Sequence, residues 1–404
     1  MMVQGEVVKT NRKAFIGVVY AYTIVMLGTT LPTPLYPIYT EAFDLSTLMI
    51  TMIYAVYAAG VISALLVFGH WSDRIGRKYI LIPGVLISAS SALIFLFSHH
   101  VVGLFIGRVL SGFSAGLFTS TATATLINLA PKHKQTLASM IASIVNMIGL
   151  GFGPILAGLL AQYVILPLRI VFVVDLIMLI PACIALIMMT EPVQERRKAH
   201  WKIQKLSVPK EVRPTFIRAV LPVFASFAML GLFAAVTPTF LQEIIGVEHK
   251  ALIGIVVASM FFIAAFSQLF LTKTSDYRVL MIGSMTLFVG IMLVALAFFL
   301  GSFAVLLVGG LVSGTGHAFT FRAGLASVNM KTAPQARGEV SSTFFTIAYI
   351  ATSIPVISIG LLTEVYGIQI AGVVFTVLVA LLALSSAVLL WKKRHEAVET
   401  MKVG

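Results

Sequence analysis

Long apolar segments alternate with short charged or turn-rich segments along the whole chain. An α-helix needs about 20 residues to cross a hydrocarbon core of about 30 Å, and the apolar segments have this length. They predict twelve membrane helices, at 15–38, 46–69, 78–98, 101–125, 137–163, 168–190, 216–241, 250–271, 279–300, 302–328, 338–363 and 367–391. The first is too long for the apolar core of a signal peptide and lacks a small-x-small cleavage site after it, so we expect it to be retained. We therefore predict an all-α polytopic membrane protein.

The composition agrees with lipid as the main solvent of the folded chain. Of its 404 residues, 59% are hydrophobic and only 11% are charged. So little charge cannot solvate the surface of a soluble protein with so much apolar material. The single cysteine, Cys183, excludes an internal disulfide and argues against a metal site built on thiolates, and we expect no metal.

A charged linker divides the predicted helices into two sets of six. The segment from Glu191 to Arg218 is the most charged part of the chain. We predict a six-helix half at 1–190, a basic cytoplasmic linker at 191–215, a second six-helix half at 216–391 and a cytoplasmic tail at 392–404.

The two halves repeat short motifs at a nearly constant offset of 202 to 204 residues. The matched positions are Thr33-Pro34 with Thr237-Pro238, Asp73 with Asp276, Ser111-Gly112 with Ser313-Gly314, and Ala130-Pro131 with Ala333-Pro334. Two parallel repeats of six helices predict a central cavity near the bilayer midplane that opens to each side in turn.

The basic residues predict which segments face the cytoplasm. With a cytoplasmic N-terminus, every Lys and Arg except Arg108, Arg169, Lys250 and Arg322 lies in or beside a cytoplasmic segment. The positive-inside rule then places both termini in the cytoplasm, with the protein in the inner or plasma membrane. The net charge of +13 therefore indicates topology and contact with anionic membrane lipids, and we expect no nucleic-acid partner.

A glycine-rich basic loop follows the second predicted helix. It reads Gly69-His70-Trp71-Ser72-Asp73-Arg74-Ile75-Gly76-Arg77-Lys78 and fits the pattern G-x-x-x-D-R-x-G-R-K. Glycines permit a tight turn, and the aspartate suits an arginine partner or the N-terminus of a facing helix. The alternative is a loop that only determines topology.

This loop resembles the signature of the major facilitator superfamily, and the twelve helices and duplicated halves extend the similarity over the whole chain. The resemblance implies the major facilitator fold, a secondary transporter, and a loop that latches the outward-open state. The implied latch residues are Gly69, Asp73, Arg74, Gly76, Arg77 and Lys78. In the second-half loop, 273–278, the Asp and one Arg remain but the glycines are missing, so we expect a weaker latch there.

The fourth predicted helix carries Arg108 among small residues. A spacing of four places Arg108, Gly112 and Gly116 on one face. A guanidinium inside the membrane must be paired or hydrated, so Arg108 is predicted to face the interior. It resembles the fourth-helix arginine that the family associates with proton coupling. The alternative is a structural arginine bonded to backbone carbonyls.

The fifth predicted helix contains the residues Gly149, Gly153, Pro154 and Gly158. They resemble the antiporter motif G-x-x-x-G-P-x-x-G-G of family exporters, with Ala157 in place of one glycine. The resemblance implies efflux. Tight helix packing alone is the alternative explanation for these small residues.

Asp175 lies in the sixth predicted helix among apolar residues, where burial disfavours the charged form of a carboxyl. It is therefore the candidate proton carrier, together with Arg108. The alternative places it near the outer surface, hydrated or paired with Arg169.

Several polar residues are candidates to line the substrate cavity. They are Arg108, Arg322, His317, Tyr20, Tyr54, Tyr57, Asn146 and Gln268. The first predicted helix lacks the internal carboxylate that many multidrug antiporters of the family keep there. Two arginines and a titratable histidine therefore favour an anionic or zwitterionic substrate, unless Arg322 extends to the cytoplasmic interface.

The other function classes are poorly supported. An enzyme needs clustered ligands or a nucleophile with a base, and the one pair of adjacent histidines, His99-His100, has no carboxylate neighbour. The sequence also lacks a nucleotide-binding loop and a filter loop. We expect a monomeric, proton-coupled exporter of a small organic molecule, either a drug-like compound or a metabolite such as a carboxylate or siderophore, with no cofactor. Proton-coupled uptake is the alternative function, and Na⁺ the alternative energy source.

Overall fold

The computed structural model describes residues 2–68, 71–192, 204–270, 276–333 and 335–403. In these ranges the chain forms helices and contains no strand, so the predicted all-α architecture is confirmed. The helices are α1 Met2–Thr30, α2 Tyr36–Phe43, α3 Thr47–Phe68, α4 Ser72–Ile75, α5 Lys78–Phe97, α6 Val101–Leu129, α7 Gln135–Tyr163, α8 Pro167–Met188, α9 Arg213–Ala235, α10 Thr237–Glu243, α11 Lys250–Ser267, α12 Asp276–Leu300, α13 Phe303–Lys331 and α14 Arg337–Val403.

Eleven helical segments within the described ranges are long and apolar enough to cross a membrane. The last, Arg337–Trp391, has 55 residues, and a helix of that length would extend about 80 Å. Its backbone leaves helical geometry at Gly367, with φ 78° and ψ 158°. Only glycine adopts this conformation without strain. The segment therefore supplies two membrane crossings, which agrees with the predicted twelve.

The first predicted helix is broken near its end. α1 stops at Thr30, and the chain continues through a 3₁₀ turn, Thr33–Leu35, into α2. Proline has no N–H, so Pro32 and Pro34 cannot bond to the carbonyls four residues earlier. The carbonyl groups of residues 28 and 30 are therefore left without helical partners. α9 and α10 are separated in the same way, just before Pro238.

The chain divides into two compact units. Unit 1 contains 1–45, 53–205 and 248–258, and therefore α1, α2, α4 to α8, most of α3 and the first turns of α11. Unit 2 contains 46–52, 206–247 and 259–404, and therefore α9, α10, α12 to α14 and the rest of α11.

Small residues bring α3 and α6 into backbone contact inside unit 1. A Cβ at Gly116 would lie 2.7 Å from the carbonyl oxygen of Val61, and one at Gly112 would collide with the carbonyl oxygen of Tyr57. Only glycine permits this approach, which is a common way for helices to associate in lipid. Arg108 lies one turn before Gly112, so the close packing determines its position along the axis of α3.

Candidate functional site

Arg108, a residue of α6, is buried against the end of α1. Its side chain is 1% exposed, and its Nη1 donates a hydrogen bond of 2.6 Å to the carbonyl oxygen of Thr29. Thr29 lies in the last turn of α1, where carbonyl groups lack helical partners and the helix dipole is negative. The broken helix thus provides an acceptor and a favourable field for the guanidinium.

Two tyrosines of α3 complete the surroundings of Arg108. Its Cζ lies 5.3 Å from the ring centroid of Tyr54 and 4.9 Å from that of Tyr57, within the range of cation–π attraction. Its Nε is buried and has no hydrogen-bond partner in the described part of the chain. The contacts that stabilise this charge are therefore a carbonyl dipole and two aromatic faces.

Asp175 of α8 lies against Gly28, the residue of α1 that precedes Thr29. Its side chain is 2% exposed, and a Cβ built on Gly28 would lie 3.1 Å from its Oδ2 and 3.3 Å from its Oδ1. Oδ1 has no hydrogen-bond partner among the described residues. Arg169 is exposed, so the structure does not place Asp175 at the surface beside it. Asp175 and Arg108 therefore contact consecutive residues of α1.

The glycine motif of α7 packs on the same part of α1. A Cβ at Gly149 would lie 2.7 Å from the carbonyl oxygen of Thr23, and one at Gly153 would lie 2.5 Å from that of Leu27. Thr30 Oγ1 donates to the carbonyl oxygen of Leu150 at 2.9 Å.

The remaining members of this motif continue the contact surface along α7. Pro154 lies inside the helix. A Cβ at Gly158 would lie 3.2 Å from Cα of Ala251, in the first turns of α11. The motif thus lines α7 with small residues that allow two other segments of unit 1 to approach its backbone.

Residues 28–30, which we call the α1 junction, therefore contact three helices. Asp175 of α8 lies beside Gly28, Arg108 of α6 bonds to Thr29, and α7 accepts a hydrogen bond from Thr30. A carboxyl that can bind or release a proton is thereby linked to a guanidinium through one short segment of backbone.

The other candidates in unit 1 have separate environments. Tyr20 OH donates to the carbonyl oxygen of Met178 at 3.1 Å and so connects α1 with α8. Asn146 Oδ1 is buried without a partner among the described residues.

In the glycine-rich loop, the structure reveals a partner that sequence reasoning missed. The backbone N–H groups of Arg77 and Lys78 each donate to the Glu191 carboxylate at 2.9 Å, and Lys78 Nζ donates to the carbonyl oxygen of Ile187. Gly76 has φ 113°, and a Cβ there would lie 2.7 Å from Glu191 Oε2. The carboxylate therefore caps the N-terminus of α5, where an anion is favoured.

The sequence offers one signal for Glu191, an acidic residue directly after an apolar helix, but the charge pattern places it in the linker. Arg74 lies in α4 and is half-buried. The side chain of Asp73, together with Gly69 and residues 271–275 of the second-half loop, lies outside what the structure describes.

In unit 2, Arg322 bonds to another helix end. Its Nη1 donates to the carbonyl oxygen of Gln268 at 2.8 Å, where α11 passes into a 3₁₀ turn, Gln268–Phe270. Gln268 Nε2 donates to Ala264 O at 3.3 Å, while its Oε1 is buried without a partner among the described residues. Arg322 is half-buried and stabilises this turn.

His317 lies in the same helix as Arg322 but in a different environment. It is 1% exposed, and its Nδ1 is 3.1 Å from Ser226 Oγ. The ring centroids of Phe227 and Phe321 lie 5.1 and 5.8 Å from that of the imidazole. The structure therefore places His317 among aromatic rings.

The family profile described as Major Facilitator Superfamily matches residues 18–283 and 223–402. Multidrug resistance protein 2 of Bacillus subtilis is 26% identical over 243 residues, which are 58% of this chain and 60% of that protein. Quinolone resistance protein NorA of Staphylococcus aureus is 24% identical over 152 residues, 38% of this chain and 39% of NorA. The matches thus span less than two thirds of these relatives.

Solved structures show the same fold over nearly the whole chain. A bacterial homolog of the human lysosomal transporter Spinster, in an inward-facing and unoccupied conformation, aligns with a TM-score of 0.72 and 16% identity, over 95% of this chain and 98% of that one. Its occupied form aligns with a TM-score of 0.73 and 16% identity, over 96% and 97%. These structures confirm the predicted fold, and the profile match shows that the chain belongs to the Major Facilitator Superfamily of multi-pass membrane proteins.

Proposed function

We propose that this protein is a proton-driven exporter of a small organic molecule, located in the inner or plasma membrane with both termini in the cytoplasm and working by alternating access. The observation that carries the proposal is the α1 junction, where Asp175 and Arg108 are buried against consecutive residues of one broken helix.

The junction offers a physical route from proton binding to helix movement. The carbonyl of Gly28 has no helical N–H partner, because residue 32 is proline. A protonated Asp175 beside it is a hydrogen-bond donor, whereas the ionised form only accepts and is repelled by the negative end of α1. A change of protonation therefore displaces the end of α1, including the Thr29 carbonyl that holds Arg108.

The support for export comes from α7 and from the relatives. The residues Gly149, Gly153 and Pro154 match the helix motif of family exporters, and two of them pack on α1. Relatives named for multidrug and quinolone resistance agree with this direction. Arg108 in unit 1 and Arg322 in unit 2 favour an anionic or zwitterionic metabolite or drug-like compound. The proton gradient replaces any cofactor, and the partners are the substrate, protons and membrane lipids.

The test uses proteoliposomes with an imposed pH gradient and Asp175→Asn. The matched control is Asp44→Asn, because Asp44 is exposed and has φ 51°, a left-handed conformation that asparagine adopts readily. A substrate for the assay is first identified by comparing the culture medium of cells with and without the protein. We expect gradient-driven export by wild type and Asp44→Asn and its loss in Asp175→Asn. Export by Asp175→Asn at the wild-type rate would remove this residue from the mechanism, and gradient-driven uptake would establish the symporter alternative.

A further inference from the structure

The hydrogen-bond contacts around His317 favour one of its two neutral tautomers. Ser226 Oγ donates to the carbonyl oxygen of Val223 at 2.9 Å. A hydroxyl has a single hydrogen; with that hydrogen on the Val223 carbonyl, Ser226 Oγ accepts from His317 Nδ1, 3.1 Å away. Nδ1 therefore carries the hydrogen, and Nε2 of the neutral imidazole presents a lone pair.

This lone pair is buried and unused. His317 is 1% exposed, and Nε2 has no hydrogen-bond partner among the described residues. Most buried polar atoms in proteins are hydrogen-bonded, so an unpaired acceptor requires an explanation. One explanation is a partner that binds only during the transport cycle.

Two aromatic rings lie beside the imidazole of His317, and a third ring contacts one of them. We call Phe227 of α9, Phe321 of α13 and Tyr349 of α14 the aromatic wall. Phe227 lies 5.1 Å from the imidazole at an interplanar angle of 60°, and Phe321 lies 5.8 Å from it at 7°. Phe227 also contacts Phe321 at 5.5 Å and Tyr349 at 6.2 Å. A planar ring makes favourable offset and edge contacts with such a surface.

We propose that His317 Nε2 and the aromatic wall form a subsite for a planar aromatic group that carries a hydrogen-bond donor, such as a phenolic hydroxyl or a ring N–H. A carboxylate would meet a lone pair here and be repelled, so the subsite receives the aromatic part of the substrate. Phe321 and Tyr349 are half-buried, and the ring of Phe321 must turn to admit the ligand. The role of this subsite in transport rests on the proposed function.

The test measures binding to the purified full-length protein in detergent, without a gradient. The probes are 2-naphthol and 2-methoxynaphthalene, in which a methyl group replaces the hydroxyl hydrogen and removes the hydrogen-bond donor. We expect wild type to bind the naphthol about tenfold more tightly, the upper range for one hydrogen bond. In His317→Asn the amide occupies the position of Nδ1 and Nε2 is lost, so the ratio falls to about one. His317→Gln places an amide oxygen near Nε2 and retains a preference for the naphthol.

Two further variants separate the subsite from general effects on folding. Phe321→Leu is expected to weaken the binding of both probes equally. Phe298→Leu, which alters an aromatic pair with Phe240 elsewhere in unit 2, leaves the ratio unchanged. Equal binding of the two probes by wild type would overturn the subsite, and so would a wild-type ratio in His317→Asn. If that variant does not fold, loss of the preference in His317→Gln overturns it. Discrimination in binding without vectorial export would contradict only the exporter proposal.

Discussion

The Nη1 atom of Arg108 donates a hydrogen bond of 2.6 Å to the carbonyl oxygen of Thr29, at the end of α1. Arg322 of the other unit repeats this relationship, since its Nη1 donates at 2.8 Å to the carbonyl oxygen of Gln268, where α11 ends. Helix ends have unpaired carbonyls and a negative dipole. Arg108 and Arg322 are therefore both stabilised by the main chain of their own unit.

The effect of replacing Arg108 is expected to depend on the shape of the new side chain as well as on its charge. In Arg108→Ala the Thr29 carbonyl loses a charged hydrogen-bond donor, which costs about 1.5–3 kcal/mol of stability. Arg108→Lys keeps the charge but loses the planar group that lies over Tyr54 and Tyr57, so we expect an intermediate effect. Thermal unfolding in detergent measures the stability of the two variants, and assays in proteoliposomes measure their transport. Equal activity of wild type and Arg108→Lys would show that charge alone matters.

Gly28→Ala tests the contact between α1 and Asp175. The added Cβ would lie 3.1 Å from Asp175 Oδ2, so it displaces the carboxyl without changing any charge. We expect proton-driven transport to fall about tenfold, a barrier increase of about 1.4 kcal/mol. Gly17→Ala is the matched control, because its Cβ would lie 3.1 Å from Ala185 Cβ in the same pair of helices. A similar loss in both variants would indicate helix packing and argue against a specific role for the carboxyl.

Glu191→Gln tests the cap on α5. Loss of the negative charge weakens two hydrogen bonds from the N–H groups of Arg77 and Lys78, which we expect to lower stability by about 1 kcal/mol. A loop that latches one conformation acts on the conformational equilibrium, so for that role we also expect slower transport with unchanged substrate affinity. Neutral replacement of Arg77 and Asp73→Asn are expected to slow transport in the same way. Glu211→Gln, at an exposed position, is the control. Wild-type rates in well-expressed Glu191→Gln, Asp73→Asn and Arg77 variants would contradict a latch role.

Charge selectivity is tested at Arg322. The guanidinium of Arg322 lies in an apolar membrane span, and a charge repels cations more strongly in such a low-dielectric environment than in water. We expect export of radiolabelled carboxylates in preference to ethidium-like cations, with Arg322→Ala more damaging than Arg322→Lys. Both substrate classes are assayed in the same proteoliposomes. Robust cation export that is insensitive to Arg322→Ala would show that this arginine does not determine charge selectivity.

The number and position of the membrane helices followed from the sequence alone. Each apolar segment must be long enough to cross the bilayer and must satisfy its backbone hydrogen bonds internally, and both conditions are local. The same local reasoning predicted that Arg108 faces the interior and that residues 69–78 form a motif. The positions of the helix breaks were harder to predict, since α1 ends at Thr30 and not at 38.

Only the tertiary structure showed which groups meet. Asp175 lies beside Gly28, Glu191 binds the N–H groups of Arg77 and Lys78, and His317 Nδ1 lies 3.1 Å from Ser226 Oγ. These partners are far apart in the chain, and their contact depends on how each helix is rotated and how far it is shifted along its neighbours. A helix that is apolar on all sides carries little sequence signal for that rotation. Steric packing of small residues determines it, and this is a property of pairs of helices.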